Sequence, residues 1–229
     1  MDQNTAQTNR AATQYNNYPR SYIITFIIGL IILIPASIIG AMHQLTGFQA
    51  RIFYDFNNLS NSIKTPVVII TDLLGSYYGI AACVLIPLLF KRFRLAWRFF
   101  FTVGGAGAVT EIIKAIIKEP RPYIMLHHHL NLRVPETGYN SFPSAHVTVA
   151  TAMALTVWML LPKKWRWVSV VWIILVAFSR LYLGAHAPID LVGALGVGMM
   201  AVSFVRLLPY NIAKPLHLDT KKPLLFKGW

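Results

Sequence analysis

Six long apolar runs, at 21–42, 66–90, 95–117, 144–162, 167–183 and 187–208, constrain the fold of this chain more than any other feature. A membrane-spanning helix takes about 20 predominantly apolar residues, so six would use about 120. The chain has 229 residues, 55% of them apolar, so six spans consume nearly the whole apolar supply. Charged residues make up 13%, against roughly 25% in an ordinary soluble domain. Disorder, a coiled coil and a typical soluble globule are excluded. The expected fold is all-α: a polytopic membrane protein with six transmembrane helices in one domain.

The segments between the runs set the expected domain layout. Residues 1–20 are polar and rich in Asn, Gln and Thr, and read as a flexible cytoplasmic tail rather than a signal peptide. Residues 21–208 form the six-span domain, and 209–229 a basic cytoplasmic tail. Between the first two runs, Ile52, Phe53, Phe56, Leu59 and Ile63 recur at helical spacing, as in a helix lying at the interface.

The net charge of +13 would suit a nucleic-acid binder, but the basic residues sit between apolar runs, so no nucleic-acid partner is expected. Cytoplasmic loops carry an excess of Lys and Arg. With alternating spans and both termini cytoplasmic, 14 of the 21 Lys and Arg fall inside and 7 outside. Trp165 and Trp167 flank the short inner loop, as interfacial aromatics do. The lone Cys83 has no disulfide partner and no ligand cluster around it.

Three segments carry chemistry, and this topology places all of them at outer span ends or in outer loops. In Lys114-Ala-Ile-Ile-Lys118-Glu-Pro-Arg121-Pro122, Lys114 nears the end of a span and Arg121 follows a helix break at Pro120. Both can converge on one anion, Arg as a planar fork and Lys as a point charge; a snorkelling lysine is the alternative. In Phe142-Pro143-Ser144-Ala145-His146, a helix N-terminus with a serine hydroxyl is a ready phosphate site; a serine cap beside an interfacial histidine is the alternative. In Ser179-Arg180…His186-Ala-Pro188-Ile-Asp190, His186 and Asp190 are four apart and would share a helix face. A carboxylate on one imidazole nitrogen fixes the tautomer and bares the other for attack; a structural His–Asp pair is the alternative.

The order Lys-x6-Arg-Pro, Pro-Ser-x-His, Ser-Arg-x5-His-x3-Asp resembles the type 2 phosphatidic acid phosphatase superfamily, on its membrane lipid phosphatase branch. The family often has Gly where Ala145 stands here; Ala keeps the backbone N–H. The resemblance implies a membrane enzyme without cofactor or metal, acting on the phosphomonoester or terminal phosphate of a lipid (di)phosphate. Polyprenyl diphosphate, phosphatidylglycerol phosphate and phosphatidate are its candidate substrates. It makes His186 the nucleophile, forming a phosphohistidine, with Asp190 orienting it and His146 serving as acid, then base. Lys114, Arg121, Ser144, Arg180 and the Ala145 N–H would cradle the phosphoryl oxygens. A lipid phosphotransferase would use the same phosphohistidine. A vanadium haloperoxidase shares the cradle but is soluble, and a non-enzymatic transporter or scaffold needs no such convergence. The small size points to a bacterial inner membrane, with the site on its extracytoplasmic face. Nothing in the sequence sets the oligomeric state.

His127-His128-His129 resembles a metal tract, but consecutive loop residues seldom converge on one ion; a place at the substrate mouth with Arg133 is the other reading. Glu111 and Asp72 lie within apolar runs, and Glu111 sits at the right spacing to pair with Lys114. The glycines between 104 and 108 lack the ending of a nucleotide loop and are expected to permit close helix packing. Asn58-Leu59-Ser60 is a glycosylation pattern that arises often by chance.

Overall fold

A computed structural model describes residues 20–45, 47–75, 77–126, 130–135, 138–216 and 218. Eight principal helices account for it: α1 (Arg20–Gly40), α2 (Gly47–Asn57), α3 (Lys64–Gly75), α4 (Tyr77–Leu89), α5 (Phe93–Ile117), α6 (Ala145–Trp158), α7 (Trp167–Tyr182) and α8 (Pro188–Leu207). Among the described residues there is no strand, only an isolated bridge between Pro120 and Asn140.

Four helices are long and apolar enough to cross a membrane: Arg20–Gly40, Phe93–Ile117, Lys163–Tyr182 and Pro188–Leu207. They coincide with the first, third, fifth and sixth apolar runs. The second run divides between α3 and α4. In the fourth run, Pro143 and Pro162 fence the 14-residue α6, which at 1.5 Å per residue is about 21 Å long, shorter than the roughly 30 Å hydrocarbon core.

α8 is the central post. It packs against α1, α5 and α6, and 61% of its apolar window is buried, against 17% for α1. A side chain at Gly29 would place its Cβ 2.9 Å from Gly196 O, and one at Gly196 would lie 2.8 Å from Gly29 O, so α1 and α8 touch backbone to backbone. On its other side α1 exposes Ile24, Ile27, Ile31, Ile34 and Ile38. An apolar face of that extent suits lipid, not water.

Two sequence expectations change. Gly104, Gly105 and Gly107 have no neighbouring atoms where a Cβ would project, so they do not serve close packing; Gly104 instead closes a π-helical turn, Phe100–Gly104, within α5. The stretch after α1 does form a helix, but its stripe packs on protein: Phe53 is fully buried in a cluster with Val147, Val176, Leu181, Leu191 and Ala194, with Ile52 and Phe56 against it. Leu59 and Ile63 lie beyond the end of α2 and are exposed. The expectation for the Asp72 side chain, and that for His127–His129, fall outside the described residues.

Candidate active site

Four helix ends meet at one pole of the bundle: the last turns of α5 and α7 and the first turns of α6 and α8. Each contributes a motif residue, and hydrogen bonds between the loops hold the ends together.

α5 stops at Ile117, where Lys118 turns left-handed (φ 53°) and the His43 ring nitrogen Nε2 bonds Ile117 O at 2.8 Å. Lys114, one turn earlier, is largely buried and pairs with the exposed Glu111 at 3.3 Å, as their spacing suggested. Beyond the break, Arg121 is extended ahead of Pro122, which opens the single helical turn Pro122–Met125. Arg121 is buried, donating from Nε to Gly138 O (2.7 Å) and from Nη1 to Ala185 O (3.1 Å). The second of these bonds ties the Arg121 loop to the His186 loop.

Ser144 is the residue ahead of α6, yet its side chain makes no cap bond. Its N–H donates to Asp190 O (3.1 Å) and its C=O accepts from Thr148 N (2.9 Å). Its Oγ is buried with no hydrogen-bond partner among the described residues. A hydroxyl left unsatisfied in a buried place costs on the order of 1–3 kcal/mol, and here it sits at a helix N-terminus led by Ala145, where unpaired N–H groups attract anions. His146 lies half-buried in the same first turn.

α7 ends with Arg180 buried, its Nε donating to Ser179 Oγ (3.1 Å) and its Nη2 to Thr71 Oγ1 (2.8 Å). Gly184, at φ +77°, then reverses the chain where a Cβ would strike Leu130 at 2.9 Å. His186 and Asp190 pair as the sequence suggested, but by a different route. His186 is not helical: it precedes Ala187, and Asp190 is the third residue of α8, reaching back in a capping arrangement. Asp190 Oδ2 accepts the Ala187 N–H at 2.9 Å and His186 Nδ1–H at 3.0 Å. Bonding at Nδ1 leaves Nε2 as the imidazole's open nitrogen. Burial pushes the His186 imidazole down to about 3, with the charges of Arg121 and Lys114 adding to the effect and Asp190 opposing it, so the ring stays neutral.

Two residues absent from the sequence expectations belong to this site. Ser141, fully buried, donates a short hydrogen bond to Asp190 Oδ2 and lies 3.2 Å from His186 Nδ1. Glu119 is buried, with its carboxyl against that of Asp190. Both adjoin motif residues, the signal that was available; neither belongs to a periodic pattern. Arg133, by contrast, is no mouth residue. It donates to the carbonyls of Asn57 (2.8 Å), Leu59 (2.7 Å) and Tyr182, and to Asn61 Oδ1 (2.6 Å), and lies 4.2 Å over the Tyr182 ring. Among the described residues no group of three His, Cys, Asp or Glu is placed to hold a metal ion.

A neutral imidazole with one free nitrogen, ringed by Lys and Arg beside a helix N-terminus, is equipped to attack and hold a tetrahedral oxyanion. Fold and site together define a helical membrane protein with a histidine–aspartate centre for anionic chemistry. Residues 95–214 match the PAP2 superfamily, and the chain belongs to that family.

The chain is 26% identical over 193 residues to an undecaprenyl-diphosphatase of Sulfolobus acidocaldarius, covering 83% of this chain and 90% of that one. It is 34% identical over 98 residues to undecaprenyl-diphosphatase BcrC of Bacillus subtilis, covering 42% and 49% respectively. In structure it resembles Aquifex aeolicus LpxE, with a TM-score of 0.63 and 20% identity over 71% of this chain and 96% of that one. It also resembles a transmembrane PAP2-type phosphatidylglycerolphosphate phosphatase of Bacillus subtilis, with a TM-score of 0.58 and 20% identity over 81% and 93%. At that identity the structural likeness establishes a common fold.

Proposed function

We propose that this protein is an integral membrane lipid phosphatase that removes the terminal phosphate of a polyprenyl diphosphate through a phosphohistidine. The observation that carries the reading is the juxtaposition of the His186–Asp190 pair with a buried Ser144 Oγ that has no partner among the described residues. The two relatives named undecaprenyl-diphosphatase favour the diphosphate over phosphatidylglycerol phosphate and phosphatidate.

In this mechanism His186 Nε2 attacks the terminal phosphorus. An N–P bond forms as the bond to the lipid-side oxygen breaks, and His146 protonates that oxygen. His146 then takes a proton from water, which attacks the phosphohistidine and releases inorganic phosphate and neutral His186. Asp190 offsets the imidazolium charge while the N–P bond exists. Lys114, Arg121, Arg180, Ser144 Oγ and the Ala145 N–H hold the equatorial oxygens. The lipid tail stays in hydrocarbon because the site lies at the ends of the spans.

The six-span arrangement belongs to this proposal, with α3 and α4 together as the second span and α6 as a short fourth. Both termini are cytoplasmic and the site faces outward, supported by the Lys and Arg distribution. Substitutions Leu132→Cys and Lys164→Cys, each at an exposed position and in a Cys83→Ser background, test it. An impermeant thiol reagent on intact cells is expected to label the first and spare the second. The reverse pattern overturns the orientation.

A phosphate-release screen of the purified protein against the three lipid classes tests the activity. Turnover is expected to survive EDTA, because the cradle's charge comes from Lys114, Arg121 and Arg180. Vanadate is expected to inhibit by imitating the trigonal-bipyramidal phosphoryl group. Loss of turnover in EDTA with recovery in magnesium would discard the cradle mechanism.

A further inference from the structure

The site contains a second carboxyl that the mechanism above does not use. Glu119 is 1% exposed, and its carboxyl lies against that of Asp190, with Ser141 joining the two: its N–H donates to Glu119 O and its hydroxyl to Asp190 Oδ2. Glu119 Oε2 and Asp190 Oδ1 are both buried, and among the described residues neither atom has a hydrogen-bond donor. Two of the walls around Glu119 are apolar. Where α1 passes, Gly40 lies so close that a Cβ there would be 2.8 Å from Oε2, and the Phe142 ring fills the adjoining space. The main chain of Glu119 is fixed by Ser141 N–H donating to its carbonyl at 2.7 Å.

Two carboxyls that meet in a buried place, each with an oxygen that lacks a donor, do not both stay ionised, so one of this pair carries a proton. Asp190 accepts three hydrogen bonds at Oδ2, from His186, Ala187 and Ser141, and such bonds favour its charged form. The proton therefore resides on Glu119. We infer that Glu119 is a positioning residue of the hydrolytic centre: as a neutral carboxylic acid it donates a hydrogen bond to Asp190, satisfying the face of that carboxylate turned away from His186. The inference rests on the reading of His186 as nucleophile. Its consequence is that Asp190 is held with Oδ2 against Nδ1–H, and that a single negative charge, not two, faces the imidazole.

Burial, then the Asp190 charge and the shared hydrogen bond, push the Glu119 carboxyl from its ordinary 4.5 up to about 10. His43, Glu111, Lys114, Lys118, Arg121, His146, Arg180 and His186 are the other ionisable groups at this pole, and Asp190 is the one whose charge acts on Glu119. A group whose folded pKa is raised contributes stability that is complete below its unfolded value and is lost as pH climbs through the folded one. The native protein is thus expected to lose thermal stability relative to Glu119→Gln between about pH 4.5 and pH 10.

The experiment compares the full-length protein with Glu119→Gln, Glu119→Leu and His186→Ala, in detergent, over a pH series. Glu119→Gln keeps a neutral donor and is expected to retain kcat within a few-fold at neutral pH, and to outlast the native enzyme at alkaline pH. Glu119→Leu is expected to lower kcat about tenfold to a hundredfold with KM little changed, as losing an outer partner of a functional histidine does. In the infrared, the native protein is expected to show a protonated-carboxyl carbonyl band at neutral pH that Glu119→Gln lacks, a readout that holds even if Glu119→Leu does not fold. A Glu119→Gln enzyme with no such missing band, or one as impaired at neutral pH as Glu119→Leu, overturns the inference while leaving the phosphatase reading intact. Turnover by His186→Ala would overturn the nucleophile assignment and the inference with it.

Discussion

His186→Ala is expected to bring turnover to background, because it removes the proposed nucleophile, the imidazole whose Nδ1 is held by Asp190. His146→Ala is expected to behave differently. It leaves the His186–Asp190 pair in place and removes the proton donor for the leaving oxygen and the base for water, groups that typically contribute about 10²–10⁴-fold. An aryl phosphate has a good leaving group and needs little protonation. His146→Ala should therefore still accept its phosphoryl group, and the intermediate should accumulate because hydrolysis is slowed. Acid-quenched, base-stable labelling with a radioactive aryl phosphate reads this directly. Label trapped by His186→Ala, or never trapped by His146→Ala, would reverse or discard the two assignments. Asp190→Asn should slow turnover without abolishing binding, since it alters the charge and hydrogen bonding at Nδ1 of His186 and leaves the cationic cradle in place.

Arg133→Ala is expected to destabilise the protein more than any substitution in the cradle. Its guanidinium satisfies the carbonyls of Asn57 and Leu59 at the end of α2 and of Tyr182 at the end of α7. Asn57 completes the joint, donating from Nδ2 to Asn131 O (3.0 Å) and Tyr182 O (3.2 Å) and accepting Asn131 N–H (2.8 Å). Tyr182 O keeps its bond from Asn57 Nδ2 and Asn57 O keeps one from Asn131 Nδ2, so Arg133→Ala weakens the joint without baring every carbonyl and should lose on the order of 1–3 kcal/mol. Arg133→Lys should recover little of it, since an ammonium cannot reproduce the planar fork. Thermal unfolding in detergent measures the loss. A substrate-mouth role would instead raise KM and leave the melting temperature unchanged.

That joint shows where sequence reading stops. Helix positions were legible to within a few residues, because an apolar run reports its own burial against lipid or protein. Pro188 at the first position of α8 marked its start for a local reason: proline's fixed φ suits a first turn. The motif residues Lys114, Arg121, Ser144, Arg180, His186 and Asp190 stand out in the sequence because charged or polar groups beside long apolar runs are costly to keep without a use.

The partners of those residues were not legible. His186 reaches Asp190 through the cap of α8, not along a helix face, which spacing alone does not distinguish. Arg133 looks identical in sequence whether it meets a ligand or three carbonyls. Gly104 and Gly105 read as packing glycines but face open space, whereas the less conspicuous Gly29 and Gly196 bring α1 onto α8. Composition, periodicity and spacing are properties of one segment, and they determined that this chain is a helical membrane protein with basic and histidine motifs at the ends of its apolar runs. Which loop lies over which helix end is set by contacts between residues far apart in the chain, and only the tertiary structure decided that Glu119, between Lys118 and Pro120, comes to rest against Asp190 with no other donor among the described residues to meet it.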